Sequence, residues 1–229
     1  MLRETEETGS TNDDAKDLAE RGAPAGAAVL ARRQTRGRGR AGRSFLSPEG
    51  GLYLSVVLRP KLPPGEWGLV PLMTGVVVAG ELRRDGFDAR VKWPNDVLVA
   101  GKKAGGILVE SRWGESPYAV VGIGMNLDRV PDVPDATALA AHGAPPAARA
   151  LAERLVAALV ERTTRWEREG RAPLLAEVRA NCDTIGRRVG WADGEGVAVD
   201  VDGDGALVVE LEGGERRRIV AGDVRVSLR

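Results

Sequence analysis

The segment of this chain best suited to chemistry is rich in arginine and glycine, and it reads RRQTRGRGRAGR from Arg32 to Arg43. It contains six arginines, and no acidic residue lies between Glu20 and Glu49. Arginine offers paired N–H donors to phosphate or carboxylate groups, and glycine lets the backbone approach a ligand closely. The segment therefore predicts an anion-binding loop, with a solvated basic loop as the alternative.

Two phosphate-binding motifs match this loop in part. The stretch Gly37 to Gly42 fits G-x-G-x-x-G, and GRGRAGRS differs from a P-loop in having Arg43 at the lysine position. Both motifs need a helix that begins directly after the glycines, whereas FLSPEGG follows here and predicts a turn. We therefore expect anion binding without either of those folds.

Lysine is scarce in this chain, and its positions are clustered. There are five lysines against 28 arginines, and three of the five lie in KWPND and GKKAGGILVE, at Lys92, Lys102 and Lys103. Lysine at these places indicates a need for a compact ammonium charge, and Gly105 and Gly106 indicate a ligand close to the backbone. Ordinary hairpin turns with surface lysines are the alternative.

Two shorter segments also carry polar groups that suit a ligand. In GSTN, Ser10 or Thr11 can cap a helix, and the same side chains with Asn12 can bind a neutral polar group. In GIGMN, glycines alternate along a strand that ends at Asn126, which suggests a bulge or a nucleotide contact. Each of these signals is weak when taken alone.

The rare residues and the charge balance exclude several classes of protein. A single cysteine, Cys182, rules out an intramolecular disulfide, and with a single histidine, His142, a Cys/His zinc cluster is not expected. No G-x-S-x-G motif accompanies His142. The formal net charge is zero, and the longest apolar stretch, Leu69 to Ala79, is too short to cross a bilayer. We expect a soluble cytoplasmic protein that does not interact with membranes.

Hydrophobic periodicity and turn residues predict an α+β fold. The predicted helices span Asn12 to Arg21, Trp67 to Arg84, Ala147 to Glu169 and Pro173 to Cys182. The predicted strands span Ala27 to Ala31, Leu52 to Leu58, Arg90 to Trp93, Val97 to Ala100, Gly106 to Ser111 and Tyr118 to Leu127. After Thr184 the chain alternates Gly, Val and Asp, which predicts a small all-β domain. The expected domains are 1–183 and 184–229.

Taken together and in order, the motifs resemble those of the biotin protein ligases, also called biotin-[acetyl-CoA carboxylase] ligases. The resemblance rests on GSTN, Q-T-x-G-R-G-R-x-G-R, KWPND, K-x-G-G-I-L-V-E and GIGMN, and it covers about residues 8 to 229. It implies a class II synthetase-like catalytic domain, built on a mixed sheet flanked by helices, and a C-terminal SH3-like β-barrel. It also implies that biotin and ATP form biotinyl-5′-AMP, and that biotin then passes to a lysine of a biotin carboxyl carrier protein.

The resemblance also implies which residues act. The residues expected to bind biotin are Ser10, Thr11, Asn12, Gln34, Gly37, Arg38, Gly39, Arg40, Lys103, Gly105 and Gly106. The residues expected to bind ATP are Arg38, Arg40, Phe45, Lys92, Trp93, Asn95, Asp96 and Asn126. Lys103, Arg40 and Asp96 are the expected catalytic residues, with Asp96 as a ligand of Mg²⁺ or a residue of the transfer step. Many family members have tryptophan where this chain has Phe45 or a neighbour, so the resemblance does not establish Phe45 as the residue that stacks on adenine.

Two other functions remain as alternatives. A lipoate protein ligase carries out the same adenylating chemistry on a different acyl cofactor, and a nucleic-acid-binding module could use the arginine and glycine loop. The second needs aromatic residues for base stacking, whereas only 4% of residues are aromatic. Because nine residues precede Ser10, we expect no N-terminal DNA-binding domain and no specific DNA binding. A homodimer is expected from the family alone.

Overall fold

The computed structural model of the chain describes residues 1–130, 134–220 and 224–226. Its larger part is built on a seven-stranded sheet with the strand order β1-β2-β3-β7-β6-β5-β4. The strands are β1 (Leu2–Thr8), β2 (Ala28–Gln34), β3 (Gly51–Leu58), β4 (Ala89–Lys92), β5 (Asp96–Val99), β6 (Lys102–Arg112) and β7 (Tyr118–Asn126). The strands β1 and β2 pair in parallel and the other neighbours are antiparallel, so the sheet is mixed.

Helices cover both faces of this sheet. They are α1 (Thr11–Glu20), α2 (Val70–Arg84), α3 (Ala148–Glu169) and α4 (Arg171–Asn181). Successive side chains of a strand point to opposite faces. In β3 the leucines at 52, 54 and 58 therefore join the large core formed with α2, α3 and α4, whereas Val57 joins a smaller cluster under α1. The same alternation places Ser55 of β3 on the α1 side, where it is fully buried.

The smaller part of the chain is a five-stranded antiparallel sheet with the strand order β11-β10-β9-β8-β12. Its strands are β8 (Arg188–Trp191), β9 (Gly194–Val201), β10 (Leu207–Glu210), β11 (Arg216–Ile219) and β12 (Arg225–Val226). Trp93 links it to the larger sheet. The indole Nε1 of Trp93 donates to the carbonyl of Gly205 at 2.9 Å, and its backbone N–H donates to Oγ1 of Thr184 at 3.0 Å. The Trp93 side chain is 2% exposed, so the two sheets share one apolar core.

The expected fold class is confirmed, including the mixed sheet and the small C-terminal β sheet. The strand β1 was missed, because LRETEET lacks the apolar alternation of a buried strand and lies at a sheet edge. The helix predicted from Trp67 begins at Val70, after a 3₁₀ segment over Pro64–Leu69. In the described part of the chain, no helix is long and apolar enough to cross a membrane.

We predict that Trp93→Ala lowers the free energy of unfolding by about 3–5 kcal/mol, because it removes a fully buried aromatic ring and a hydrogen bond between the sheets. Trp113→Ala is the matched control, since that side chain is 50% exposed, and it should cost less. Urea unfolding of both variants measures the difference. Equal losses for the two tryptophans would show that Trp93 does not join the two parts.

Candidate active site

A large cavity lies where the arginine and glycine loop crosses the ends of the central strands. Its volume is about 780 Å³, which is enough for a ligand of drug size. Val224 and Val226 of the C-terminal sheet complete its wall. Of the residues expected from sequence, the cavity wall brings together Ser10, Thr11, Asn12, Gln34, Arg38, Gly39, Arg40, Phe45, Lys92, Trp93, Asn95, Asp96, Lys103, Gly105, Gly106 and Asn126. Gly37 lies outside this set.

One end of the cavity is formed by neutral polar groups at the start of α1. Gln34 Oε1 accepts a hydrogen bond from the backbone N–H of Thr11 at 2.9 Å and lies 3.1 Å from the hydroxyl oxygen of the same residue. Ser55 Oγ lies 2.7 Å from Thr11 Oγ1 and 2.6 Å from Asn12 Oδ1. Thr11 and Asn12 are both buried, and Gln34 Nε2 donates to Ser47 at 2.8 Å. This neutral end can bind a small polar ring by hydrogen bonds.

A balanced cluster of charges lies behind the neutral end. The guanidinium of Arg38 donates to both carboxylate oxygens of Asp13, at 2.6 and 2.7 Å, and to Glu110 Oε2 at 3.3 Å. Lys16 Nζ donates to Glu110 Oε1 at 2.5 Å. The hydrogen bond from Arg38 holds the pKa of Asp13 below its ordinary value. Two cations and two carboxylates thus cancel, and the Arg38 side chain ties the loop to α1 and β6.

The opposite end of the cavity carries an excess of cations. Arg40 donates to Asn95 Oδ1 at 3.2 Å, and Asn95 Nδ2 donates to the carbonyl of Ile107 at 2.8 Å. Lys103 Nζ lies 2.5 Å from Asp96 Oδ1, and Lys92 lines the same wall. These side chains come from the loop, from β4 and β5 and the turn between them, and from β6. This cationic end suits a phosphate-bearing ligand.

Phe45 packs against Gly124 of β7. A Cβ atom at Gly124 would stand 2.6 Å from Phe45 Cε1, so the ring occupies the space that a side chain would need. The ring also meets Tyr53 edge-on, with centroids 6.4 Å apart. The glycine alternation in GIGMN therefore reflects close packing, since the pairing of β7 with β3 and β6 runs without a bulge.

Two predicted site residues shape the cavity through their packing. A Cβ atom at Gly37 would lie 2.3 Å from the carbonyl oxygen of Phe45, so Gly37 permits the loop to fold back on itself. The ring of Trp93 is buried, and its N–H is already bonded to Gly205. Trp93 therefore holds in place the turn that leads to Asn95 and Asp96. Because its ring is buried, it is not free to stack on adenine.

The sequence analysis missed the residues that support the neutral end. They are Asp13, Lys16, Ser55, Glu110 and Gly122, of which Glu110 closes the motif K-x-G-G-I-L-V-E without having been given a role. A serine within the apolar strand LYLSVVL was one available signal. The partners of Glu110 were not predictable, because Asn12 is 98 residues away along the chain.

A neutral recess that runs directly into a cationic one can hold a small polar ligand next to a phosphate-bearing one. The model of the biotin/lipoate A/B protein ligase family matches residues 5–126, and that of the biotin protein ligase C-terminal domain matches residues 184–227. The chain therefore belongs to the biotin/lipoate A/B protein ligase family, and within it to the biotin protein ligases.

Individual relatives agree with this assignment. The chain is 37% identical to the biotin--[acetyl-CoA-carboxylase] ligase of Mycobacterium tuberculosis, over 95% of this chain and 86% of that protein. It is 41% identical to the bifunctional ligase/repressor BirA of Bacillus subtilis, over 55% of this chain but only 40% of that protein. The biotin protein ligase of Aquifex aeolicus in complex with biotin and ATP superposes with a TM-score of 0.83 at 28% identity, covering 99% of this chain and 98% of that one.

We predict that Gly122→Ala destabilises the protein by about 1–3 kcal/mol, because the new Cβ would lie 2.2 Å from Asn12 Oδ1 and must displace that side chain. Gly80→Ala in α2 is the control, since its Cβ meets its nearest neighbour, Arg83, at 3.9 Å. Alanine favours a helix over glycine, so the control should be neutral or stabilising. Thermal unfolding of the two variants checks this, and unchanged stability of Gly122→Ala would contradict it.

Proposed function

We propose that this protein condenses biotin with ATP to give biotinyl-5′-AMP and pyrophosphate, and then transfers the biotinyl group to a lysine of a biotin carboxyl carrier protein. The observation that carries the proposal is the division of one cavity into a neutral end and a cationic end. The names of the relatives support it, as do the structures in complex with biotin and ATP and with biotinyl-5-AMP.

The neutral end is the place for the bicyclic ring of biotin. Its ureido group has N–H donors and a carbonyl acceptor, which match the hydroxyl and amide groups of Ser10, Thr11, Asn12 and Gln34. The balanced cluster of Asp13, Lys16, Arg38 and Glu110 adds no net charge behind a neutral ring. From there the valeryl chain of biotin runs over Gly105 and Gly106 toward Lys103.

The cationic end is the place for the reacting groups. The biotin carboxylate is already ionised at pH 7, so its attack on the α-phosphorus needs no general base. What opposes the reaction is repulsion between two anions, followed by negative charge on the phosphoryl oxygens and on pyrophosphate. Lys103 lies where it can bridge the carboxylate and the α-phosphate, and Arg40 holds the phosphoryl group from the loop side. Neither of them pairs with Asp13 or Glu110, the carboxylates that bind Arg38.

The donor set fits Mg²⁺, which is held by one or two carboxylates together with substrate phosphates. Asp96 and Asp135 are the carboxylates of the cavity wall, and no group of three or more metal-binding side chains occurs among the described residues. Asp96 would hold the ion, which supplies charge neutralisation for the triphosphate. In the transfer step, Asp96 is also the carboxylate beside Lys103 that can accept a proton from the incoming carrier lysine.

Lipoate is the competing substrate, because the family includes lipoate ligases. The ring of lipoate is a dithiolane, which offers no N–H donor to the acceptors at the neutral end. The match to a biotin protein ligase C-terminal domain over residues 184–227 also favours biotin. Calorimetric titration with biotin and with lipoate separates the two, and tighter binding of lipoate would overturn the choice. Nucleic acid is not favoured, since Arg38 and Arg40 bond to protein groups at the cavity.

We predict that Lys103→Ala lowers the rate of biotinyl-AMP formation by about 10²–10³, because a cation that stabilises developing negative charge is lost. The measurement is biotin-dependent exchange of labelled pyrophosphate into ATP. Lys102→Ala is the matched control, since Lys102 is exposed and lies outside the cavity wall. Near wild-type exchange in Lys103→Ala would show that this lysine has been misassigned.

We predict that Arg40→Ala both weakens ATP binding and releases biotinyl-AMP into solution. Arg40 lies on the loop that covers the phosphoryl group, and water excluded by that loop would otherwise reach the mixed anhydride. Released biotinyl-AMP labels lysines of bystander proteins, which a streptavidin blot detects. Arg32→Ala is the control, because Arg32 is exposed and pairs with Glu6 instead. Equal bystander labelling by the two variants would refute the role of Arg40.

A further inference from the structure

The neutral end of the cavity contains three polar contacts between oxygen atoms, but only two protons are available to form hydrogen bonds there. Ser55 Oγ lies 2.6 Å from Asn12 Oδ1 and 2.7 Å from Thr11 Oγ1, and Thr11 Oγ1 lies 3.1 Å from Gln34 Oε1. The two amide oxygens carry no proton, and each hydroxyl carries one. Two protons therefore serve three contacts, and one of the contacts lacks a proton in any arrangement.

The orientation of both amides is fixed by their other neighbours. Gln34 Oε1 accepts from the backbone N–H of Thr11, which is only a donor. Asn12 Nδ2 donates to Glu110 Oε2 at 2.7 Å and faces the carbonyl of Leu108 at 3.5 Å, both of which are only acceptors. If Asn12 turned over, its Oδ1 would face the Glu110 carboxylate, and its Nδ2 would supply the missing proton to Ser55. Glu110 therefore prevents the arrangement that would satisfy every contact.

The contact distances then assign the unfilled contact. The two shortest, 2.6 Å from Ser55 Oγ to Asn12 Oδ1 and 2.7 Å from Ser55 Oγ to Thr11 Oγ1, are both filled when Ser55 donates to Asn12 and Thr11 donates to Ser55. The remaining pair, Thr11 Oγ1 and Gln34 Oε1, is also the longest of the three contacts, at 3.1 Å, where O–H···O bonds are ordinarily about 2.7–2.8 Å. Thr11 and Gln34 line the cavity, whereas Ser55 and Glu110 do not. The wall thus presents surplus acceptors to a ligand.

We infer that Glu110 is a positioning residue that sets the ligand preference of this cavity, by orienting Asn12 so that Thr11 and Gln34 present free acceptors to a ring with N–H donors. The inference rests on the proposed function, and it deepens it: a ureido ring supplies the missing donor, and a dithiolane ring does not. Glu110 touches no ligand and acts through Asn12 and Ser55.

Glu110 is suited to this role because it remains ionised. Burial of its carboxyl opposes ionisation, but the hydrogen bonds from Lys16 and Asn12 and the charges of Lys16 and Arg38 outweigh burial and leave the pKa below its ordinary value. An ionised carboxylate accepts on both oxygens, so Asn12 has no stable alternative orientation. A neutral amide at position 110 would remove that constraint.

The test uses Glu110→Gln and Ser55→Ala in the full chain. In the first variant Asn12 can turn over, and in the second Thr11 is free to donate to Gln34, so either change fills the surplus acceptor. Each should weaken biotin binding about tenfold, the usual effect of one hydrogen bond to a buried group, while lipoate binding and the KM for ATP change less than twofold. The double variant should bind biotin no more weakly than the single variant with the lower affinity, since both changes act on the same chain of hydrogen bonds.

Glu20→Gln is the matched control, because Glu20 also accepts from an arginine of β6, Arg112, but lies outside the cavity wall. It should leave both affinities unchanged. An unchanged biotin-to-lipoate ratio in Glu110→Gln, an equal effect on biotin and ATP, or losses that multiply in the double variant would overturn the inference. Biotin-dependent pyrophosphate exchange by the wild type tests the proposed function separately, so failure of the ratio test in an exchange-competent protein counts against Glu110 alone.

Discussion

The structure depends on keeping two kinds of electrostatic environment apart within one cavity. A carboxylate and a triphosphate repel each other and need cations between them, whereas a neutral ring gains nothing from an unbalanced charge. The chain has equal numbers of acidic and basic residues, so the separation depends on placement and not on net charge. At the neutral end Arg38 bonds to Asp13 and Glu110, whereas at the other end Arg40 donates to the side-chain amide of Asn95.

The central strands make this separation possible because they bring side chains from distant parts of the chain within hydrogen-bond distance. Gly122 of β7 leaves room for Asn12 and Gly124 leaves room for Phe45, so the start of α1 and the segment that carries Phe45 both approach the same strand. Trp93 holds the turn that leads to Asn95 and Asp96 against the C-terminal part of the chain. That part also contributes Val224 and Val226 to the cavity wall. The small sheet is thus part of the site's construction.

The sequence predicted the elements with strong periodicity and the residues that carry unusual chemistry. The strand LYLSVVL and the arginine and glycine loop are examples, since one is almost wholly apolar and the other has no nearby acid. What could not be predicted depends on pairing across the fold. The strand Leu2–Thr8 is held by its parallel partner and not by burial. Arg38 was expected to bind biotin and ATP, but its partners Asp13 and Glu110 could not be predicted, because they meet it only in the folded chain.

The central claim is that the two ends of the cavity hold different parts of one intermediate. A crystal structure of the protein with a non-hydrolysable analogue of biotinyl-5′-AMP tests it most directly. The account predicts the ureido ring within hydrogen-bond distance of Thr11 and Gln34, and the phosphoryl oxygens within reach of Arg40 and Lys103. An intermediate bound the other way round, or a phosphoryl group held by Arg38 in place of Arg40, would contradict it.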